Sequence, residues 1–446
     1  MLPESLRNAI FWAADAVFGP WTIALLFGTG IFPTVRLRFV QVRRFGDGLR
    51  TLVPAAQEGA RGPLTPFQAF MTALAASIGT GNIAGVATAV VSGGPGAVFW
   101  IWAYGFVATA IKFCEAVLGI KYRRLEGDRL SAGPMHYLRD GLRSPKLAWT
   151  YALVAGVAAL TTTPFTQPNS MAVVLESQFA IPTWVSGVVI AVLAWLVIIG
   201  GVRSIGRAAE KLAPLKVGLY LLGGLAVIVT HAGRIPEILS LIFREAFSIG
   251  AVSGGTAGVG VMVALRYGLA RGIYANEAGY GTAAVVYGTA RSREPVQQGL
   301  NAVMEVFIIS FVTSSISALT ILLSGVWRSG LTSTAVVAQA FNTAIPTVGG
   351  WIVAFCAFLF GYTTIIGWAY YGEQFLEYVF GPRVTVPYRW VYCGLIVFGA
   401  MGKVDLIWAW GDLMNGLQIF PNLVGVIGLS GVAAAALRDS ERRPAA

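Results

Sequence analysis

The sequence predicts an all-α polytopic membrane protein of about 11 transmembrane helices, ten of them forming two inverted five-helix repeats behind one extra N-terminal helix. Three observations lead there. The first is composition: the 446 residues are 56% apolar and only 12% charged, with a mean hydropathy of +0.69, whereas a soluble chain carries about 25% charged residues. The second is the recurrence of apolar runs near the roughly 20 residues needed to cross the hydrocarbon core. The third is that two of these runs, first and sixth of the last ten, are interrupted by glycine clusters, the pattern that marks a binding site between transporter repeats.

The spans read in order as about 9–34, 66–92, 96–121, 149–172, 181–201, 212–231, 250–288, 297–324, 347–372, 387–403 and 415–437. Residues 1–446 therefore read as one integral membrane domain, with the extra helix at 9–34, repeat one at about 66–231 and repeat two at about 250–437. The stretch 333–345 is too short to span. Of the 32 Lys and Arg residues, 26 are grouped with alternate loops and the C-terminus, at 36–64, 121–148, 202–216, 266–293, 381–389 and 438–446. This bias assigns those loops to the cytoplasm, with the N-terminus outside and the C-terminus inside a plasma or inner membrane. It also accounts for the net charge of +11 without nucleic acid. Cys114, Cys356 and Cys393 lie in apolar spans without metal-ligand spacing and read as buried thiols. No basic, apolar and small-residue series precedes the first span, so no cleaved signal is expected.

The interrupted spans carry the functional signal. Residues 75–88 place Gly79, Gly81 and Gly85 among Ser77, Thr80 and Asn82. Each interior glycine costs a helix about 1 kcal/mol relative to alanine, and an amide such as that of Asn82 is costly in hydrocarbon without partners. Such a stretch fits a broken helix, since irregular backbone at membrane depth persists only when buried in protein or lining a cavity. Close helix packing through Gly81 and Gly85 is the alternative. The second interruption is expected at Gly254, Gly255 and Thr256, or several residues later.

A zwitterionic amino acid needs donors for its carboxylate and acceptors for its ammonium. Free N–H groups of Gly79, Thr80 and Gly81 at a half-helix N-terminus, with the Thr80 hydroxyl, supply the donors. Ser77 lies beside them, and Gln167 is expected to donate to the carboxylate from the fourth span. Phe165 and Trp368 are candidate caps limiting side-chain size, or packing aromatics. Lys112 and Glu115, three residues apart, are expected to pair with each other. Arg266, Arg271 and Glu277 read as a cytoplasmic gate network, and Glu305 as a candidate proton site or an acid facing a vestibule.

The runs Gly79-Thr80-Gly81-Asn82-Ile83-Ala84-Gly85, Gly93-Gly94-Pro95-Gly96, Lys112-Phe113-Cys114-Glu115, Gly133-Pro134-Met135, Gln167-Pro168-Asn169-Ser170 and Arg203-Ser204-Ile205-Gly206-Arg207 carry a resemblance. So do Arg266-Tyr267-Gly268-Leu269-Ala270-Arg271-Gly272, Asn276-Glu277-Ala278-Gly279 and Ile366-Gly367-Trp368-Ala369-Tyr370-Tyr371-Gly372-Glu373. In order and spacing they resemble the alanine/glycine:cation symporter family over nearly the whole chain. The resemblance implies the leucine-transporter-type fold and import of alanine or glycine with sodium, or sometimes protons. It also implies that the span holding Thr363 and Thr364 faces the first helix break. A sodium site is then expected from those hydroxyls and the carbonyls of Ala75 and Ile78, because hard cations prefer oxygen, with a second cation position near Asn82. The chain departs from the pattern where Ile309 stands in place of an Asp and where Ala132 and His136 interrupt a Gly-Gly-Pro-Met-Tyr-Tyr run. It thus looks like a divergent member.

The expected function is import of a small neutral amino acid coupled to sodium, with proton coupling as the alternative and a passive channel behind it. The expected partners are the amino acid and the lipid bilayer. An enzyme is disfavoured, since His136 and His231 have no partner motif.

Overall fold

The computed structural model describes residues 3–17, 19–52, 60–126, 129–248 and 260–442. The chain begins with α1 (Glu4–Val17), α2 (Pro20–Arg36) and the short α3 (Val40–Arg43) and α4 (Phe45–Thr51). Next come α5 (Pro66–Ser77), α6 (Ala84–Gly93) and α7 (Ala97–Lys121), then the antiparallel hairpin of β1 (Arg124–Glu126) and β2 (Arg129–Ser131), and α8 (Pro134–His136). The middle comprises α9 (Pro145–Thr161), α10 (Thr163–Phe179), α11 (Thr183–Ile198), α12 (Gly201–Thr230) and α13 (Ile235–Ala246). After these lie α14 (Val261–Asn276), α15 (Thr282–Gly288), α16 (Pro295–Val306) and α17 (Ser314–Ser324). The chain closes with α18 (Ser333–Ala344), α19 (Val348–Phe380), α20 (Thr385–Met401) and α21 (Val404–Arg442).

Among the described residues, eight helical stretches are long and apolar enough to cross a membrane, or nine if the bent pair α5–α6 is one span. Large apolar side chains such as Trp21, Leu196, Leu222, Trp390 and Phe398 remain exposed, which suits a surface facing lipid. The expected span at 9–34 divides into α1 and α2 around Gly19 and Pro20, and the short stretch at 333–345 forms α18.

The first broken helix falls where the glycine pattern puts it. Thr65 starts α5 with a reciprocal capping box: its hydroxyl accepts from the Gln68 amide, and the Gln68 side chain accepts from the Thr65 amide. The helix stops as Ile78 turns to ψ 78° and Gly79 becomes extended. A single 3₁₀ turn at Thr80–Asn82 leads into α6, and the two halves meet at 60°.

A second interruption is visible beyond the expected glycine cluster. Gly254, Gly255 and Thr256 lie outside the described residues, and the visible interruption runs from Glu277 to Gly281, between α14 and α15. Glu277, Gly279 and Gly281 all take positive φ there (55°, 97° and 84°), which explains two of the glycines. Arg266 and Arg271 consequently sit within α14, across this break from Arg291 and Arg293, instead of sharing a loop with them. Lys216 also leaves the loop set: it is a fully buried residue of α12.

α7 completes the second break. Lys112 and Glu115 do not pair with each other. The Lys112 ammonium donates to the Asn276 carbonyl (2.6 Å), to Glu305 (2.6 Å) and to Ser77 (3.2 Å). Glu115 accepts from the amides of Gly279 (3.0 Å) and Gly281 (3.2 Å) and from Asn422 (2.7 Å). The cause is the break itself, whose freed carbonyl needs a donor and whose freed amides need an acceptor. Glu305 is fully buried and also accepts from Tyr287 and Ser77, so it faces no vestibule. The π-helical turn Phe307–Thr313 beyond it buries Ile309 and brings Ser310 to the Asn276 side chain.

Removing one member of a buried ion pair costs about 3–5 kcal/mol, because the other charge stays behind. Lys112→Met should therefore lower unfolding stability in detergent by that order, and adding Glu305→Gln should recover part of the loss in the same titration.

Candidate solute-binding site

A narrow pocket with an empty volume of about 280 Å³ opens between the two breaks. It is lined by Ser77, Gly79 and Gly81 from the first break and by Tyr274, Glu277 and Tyr280 around the second. Thr163 and Gln167 of α10, Thr364 and Trp368 of α19 and Asn415 of α21 close the remaining sides.

One wall is built from donors. α10 begins immediately after α9 ends, with Pro164 in its first turn and Pro168 inside it, and this start brings Gln167 to the first break. Its Oε1 accepts from both the backbone amide and the hydroxyl of Thr80, each at 2.9 Å. The Thr80 donors thus meet an amide oxygen, and Gln167 acts toward them as an acceptor. That oxygen stands where one oxygen of a carboxylate would accept from the same pair. Gly79 and Gly81 are required for the close approach: a Cβ at Gly79 would lie 2.7 Å from the Thr364 hydroxyl, and one at Gly81 would lie 2.5 Å from the Tyr274 ring.

The facing wall is acidic. Glu277 caps α14 and is buried; one carboxylate oxygen accepts from the Trp368 indole (2.6 Å) and the other from the Thr282 hydroxyl (2.9 Å). A carboxylate has about four lone-pair sites, so this pair of contacts leaves acceptor capacity toward the pocket.

Behind the lining residue Tyr274 lies a second layer, the cap. Arg271 of α14 makes a two-contact pair with Asp412 of α21, at 2.7 and 3.3 Å. Its guanidinium lies 5.0 Å from the centre of the Trp408 ring, which in turn rests against Tyr274. Arg266 pairs separately with Asp15. The expected network of Arg266, Arg271 and Glu277 is therefore three separate contacts, with only Arg271 and its partners forming the cap.

The expected cation ligands come together behind the pocket. The Ala75 and Ile78 carbonyls, left open by the end of α5, and the Thr363 hydroxyl point at one position. There they receive the Lys216 ammonium at 2.9, 2.5 and 2.6 Å. Thr364 faces the pocket, and its hydroxyl also donates to the Ala75 carbonyl at 3.4 Å. The Asn82 amide donates to the Ser77 carbonyl (3.1 Å) and bridges the break internally, with its oxygen 3.5 Å from the Ser314 hydroxyl.

A profile for the sodium:alanine symporter family matches residues 3–446. The chain belongs to that family. It is similar to the sodium/alanine symporter AgcS of Methanococcus maripaludis, at 37% identity over 93% of each chain. It is equally similar to an uncharacterized transporter of Haemophilus influenzae, at 37% identity over 99% of this chain and 97% of that one. Among solved structures it resembles the manganese transporter of Eremococcus coleocola, with a TM-score of 0.56, 14% identity and coverage of 86% and 87%. That likeness shows a shared transporter fold.

For this symporter-family chain, six of the residues singled out from sequence line the pocket: Ser77, Gly79, Gly81, Gln167, Thr364 and Trp368. Thr80 contributes through Gln167, whereas Phe165 is not among the lining residues. Sequence reasoning missed Tyr274 and Tyr280, and it assigned Glu277 to a gate. The available signal was position: Tyr274 and Tyr280 flank, and Glu277 lies within, Asn276-Glu277-Ala278-Gly279, where the positive-φ break begins.

Gly81→Ala should reduce amino-acid uptake at least tenfold while leaving the detergent-solubilised protein folded. Uptake retained within twofold would mean that the Gly81–Tyr274 approach does not shape the site.

Proposed function

We propose that this chain is a secondary active transporter that imports a small neutral amino acid, alanine or glycine, by alternating access around the pocket between the two helix breaks. The observation that carries this reading is that one pocket is lined both by Gln167, whose oxygen engages the Thr80 donors, and by the buried Glu277 carboxylate. The carboxylate of the substrate displaces the Gln167 oxygen from Thr80, and its ammonium turns toward Glu277. Gly79, Gly81, Trp368 and Tyr274 leave room for a small side chain. Similarity to a sodium/alanine symporter supports alanine.

In this reading the chain crosses the membrane eleven times, with α11 and the α14–α15 pair completing the count. The repeats run over about 66–231 and 250–437, the N-terminus lies outside, and the Arg271–Asp412 cap is the outer gate. Sodium coupling comes to the chain as a family-level expectation, with proton coupling as the alternative. A passive channel is less well supported, because the polar groups gather at the breaks instead of forming a continuous row.

Thermal stability of the purified protein across a panel of amino acids tests the proposal. A ligand at 100 times its Kd stabilises by about 2.7 kcal/mol. Alanine or glycine should therefore raise the melting temperature, lysine, glutamate and tryptophan should not, and Glu277→Gln should weaken the effect at least tenfold in concentration. No response to any small neutral amino acid would overturn the reading. In proteoliposomes, Asp412→Asn should loosen the outer cap and raise the rate of substrate exchange from that side; a rate unchanged within twofold would separate the ion pair from gating.

A further inference from the structure

We infer that the cation position at the first helix break takes no sodium in this chain, because the protein supplies its own cation there: the ammonium of Lys216. The inference rests on the pocket being an amino-acid site, and it narrows which ion that site requires.

The geometry is complete as it stands. Lys216 has three N–H donors, and the three contacts of its nitrogen are the Ala75 carbonyl, the Ile78 carbonyl and the Thr363 hydroxyl, at 2.9, 2.5 and 2.6 Å. An oxygen-coordinated ion of sodium's size, close to that of calcium with ligand distances of about 2.3–2.6 Å, would coincide with that nitrogen. The side chain is fully buried, and its ammonium lies 5.2 Å from the centre of the Phe360 ring. Among the described residues no carboxylate lies within ion-pair distance of Lys216; the nearest compensation is the negative end of α5 and its open carbonyls. An intramembrane charge held this way is costly unless its role requires it.

Another feature points the same way. Ile309 is a buried apolar side chain at the position where the resemblance expects an Asp, so that position carries no charge for a cation. A tethered ammonium performs the local task of a bound ion by joining α5, α12 and α19 through one charge. It is not released with the substrate. Passage of a zwitterion past it therefore moves no cation through this position.

The test is alanine binding to purified protein, read by thermal shift, in sodium chloride and in choline chloride at equal ionic strength. Wild type should show less than a tenfold difference in apparent affinity between the two salts. Lys216→Met leaves the three oxygens open, so its alanine affinity in choline should fall at least tenfold and sodium should restore it. Lys216→Gln, which retains donors without the charge, serves as the second variant and should show the same sodium response. A wild-type protein whose alanine affinity changes tenfold or more with sodium would overturn the inference. So would folded Lys216 variants that respond to sodium no more than wild type does. If neither variant folds, the wild-type comparison decides. Absence of alanine binding in both salts, with no response to the wider panel, would instead reject the amino-acid reading itself.

Discussion

A peptide group inside a membrane has no water to turn to, and two interrupted helices leave several such groups without helical partners. The need to satisfy them organises the rest of the molecule. At the first break the carbonyls of Ala75 and Ile78 receive Lys216, and the Thr80 amide is taken by Gln167. At the second, the Asn276 carbonyl receives Lys112, while the Gly279 and Gly281 amides donate to Glu115. Three buried charges and one amide, from three helices packed around the breaks, thus complete the backbone that the breaks open.

The same constraint separates structural charges from those facing the pocket. Lys112 and Glu305 neutralise each other behind the second break, and Arg271 and Asp412 do so at the cap. Glu277 is different: its carboxylate is held by an indole and a hydroxyl, with no cation in direct contact among the described residues, and it lines the pocket. A substrate ammonium would be the missing countercharge. The donor side is tuned in a complementary way, because the Gln167 oxygen satisfies Thr80 until a better acceptor arrives. In the proposed function, this arrangement offers each end of a small zwitterion a partner.

Much of this was legible in the chain itself. The cluster Gly79, Gly81 and Gly85 around Thr80 and Asn82 located the first break because glycine and amide side chains are costly in a plain spanning helix. Ala75, Ile78, Thr363 and Thr364 were expected to hold a sodium ion, and the structure brings the first three to the Lys216 ammonium. Their shared occupant was not foreseen, since Lys216 stands near a run of basic residues and was grouped with a loop on the strength of charge asymmetry. Its position two residues after Pro214, with apolar neighbours Leu215 and Val217, was the available sign. For a related reason the interruption at Glu277–Gly281 was not singled out: five glycines at 250–260, of which only Gly260 is among the described residues, drew the reading away from Gly279 and Gly281. The expected Lys112–Glu115 pair obeyed helix spacing, but the opened backbone across from α7 offered each residue a stronger partner.

Membership in the sodium:alanine symporter family and the presence of a lysine at the cation position are therefore compatible facts about different levels of the molecule. The family sets the fold and the kind of solute, whereas the occupant of the Ala75–Ile78–Thr363 triangle sets how one step is linked to an ion. The most direct measurement is an experimental density map of the protein prepared in saturating sodium with alanine, at a resolution that distinguishes a side-chain terminus from a free ion. The account predicts continuous density from Lys216 to the three oxygens. Density showing Lys216 turned away, with a separate ion seated between Ala75, Ile78 and Thr363, would contradict it.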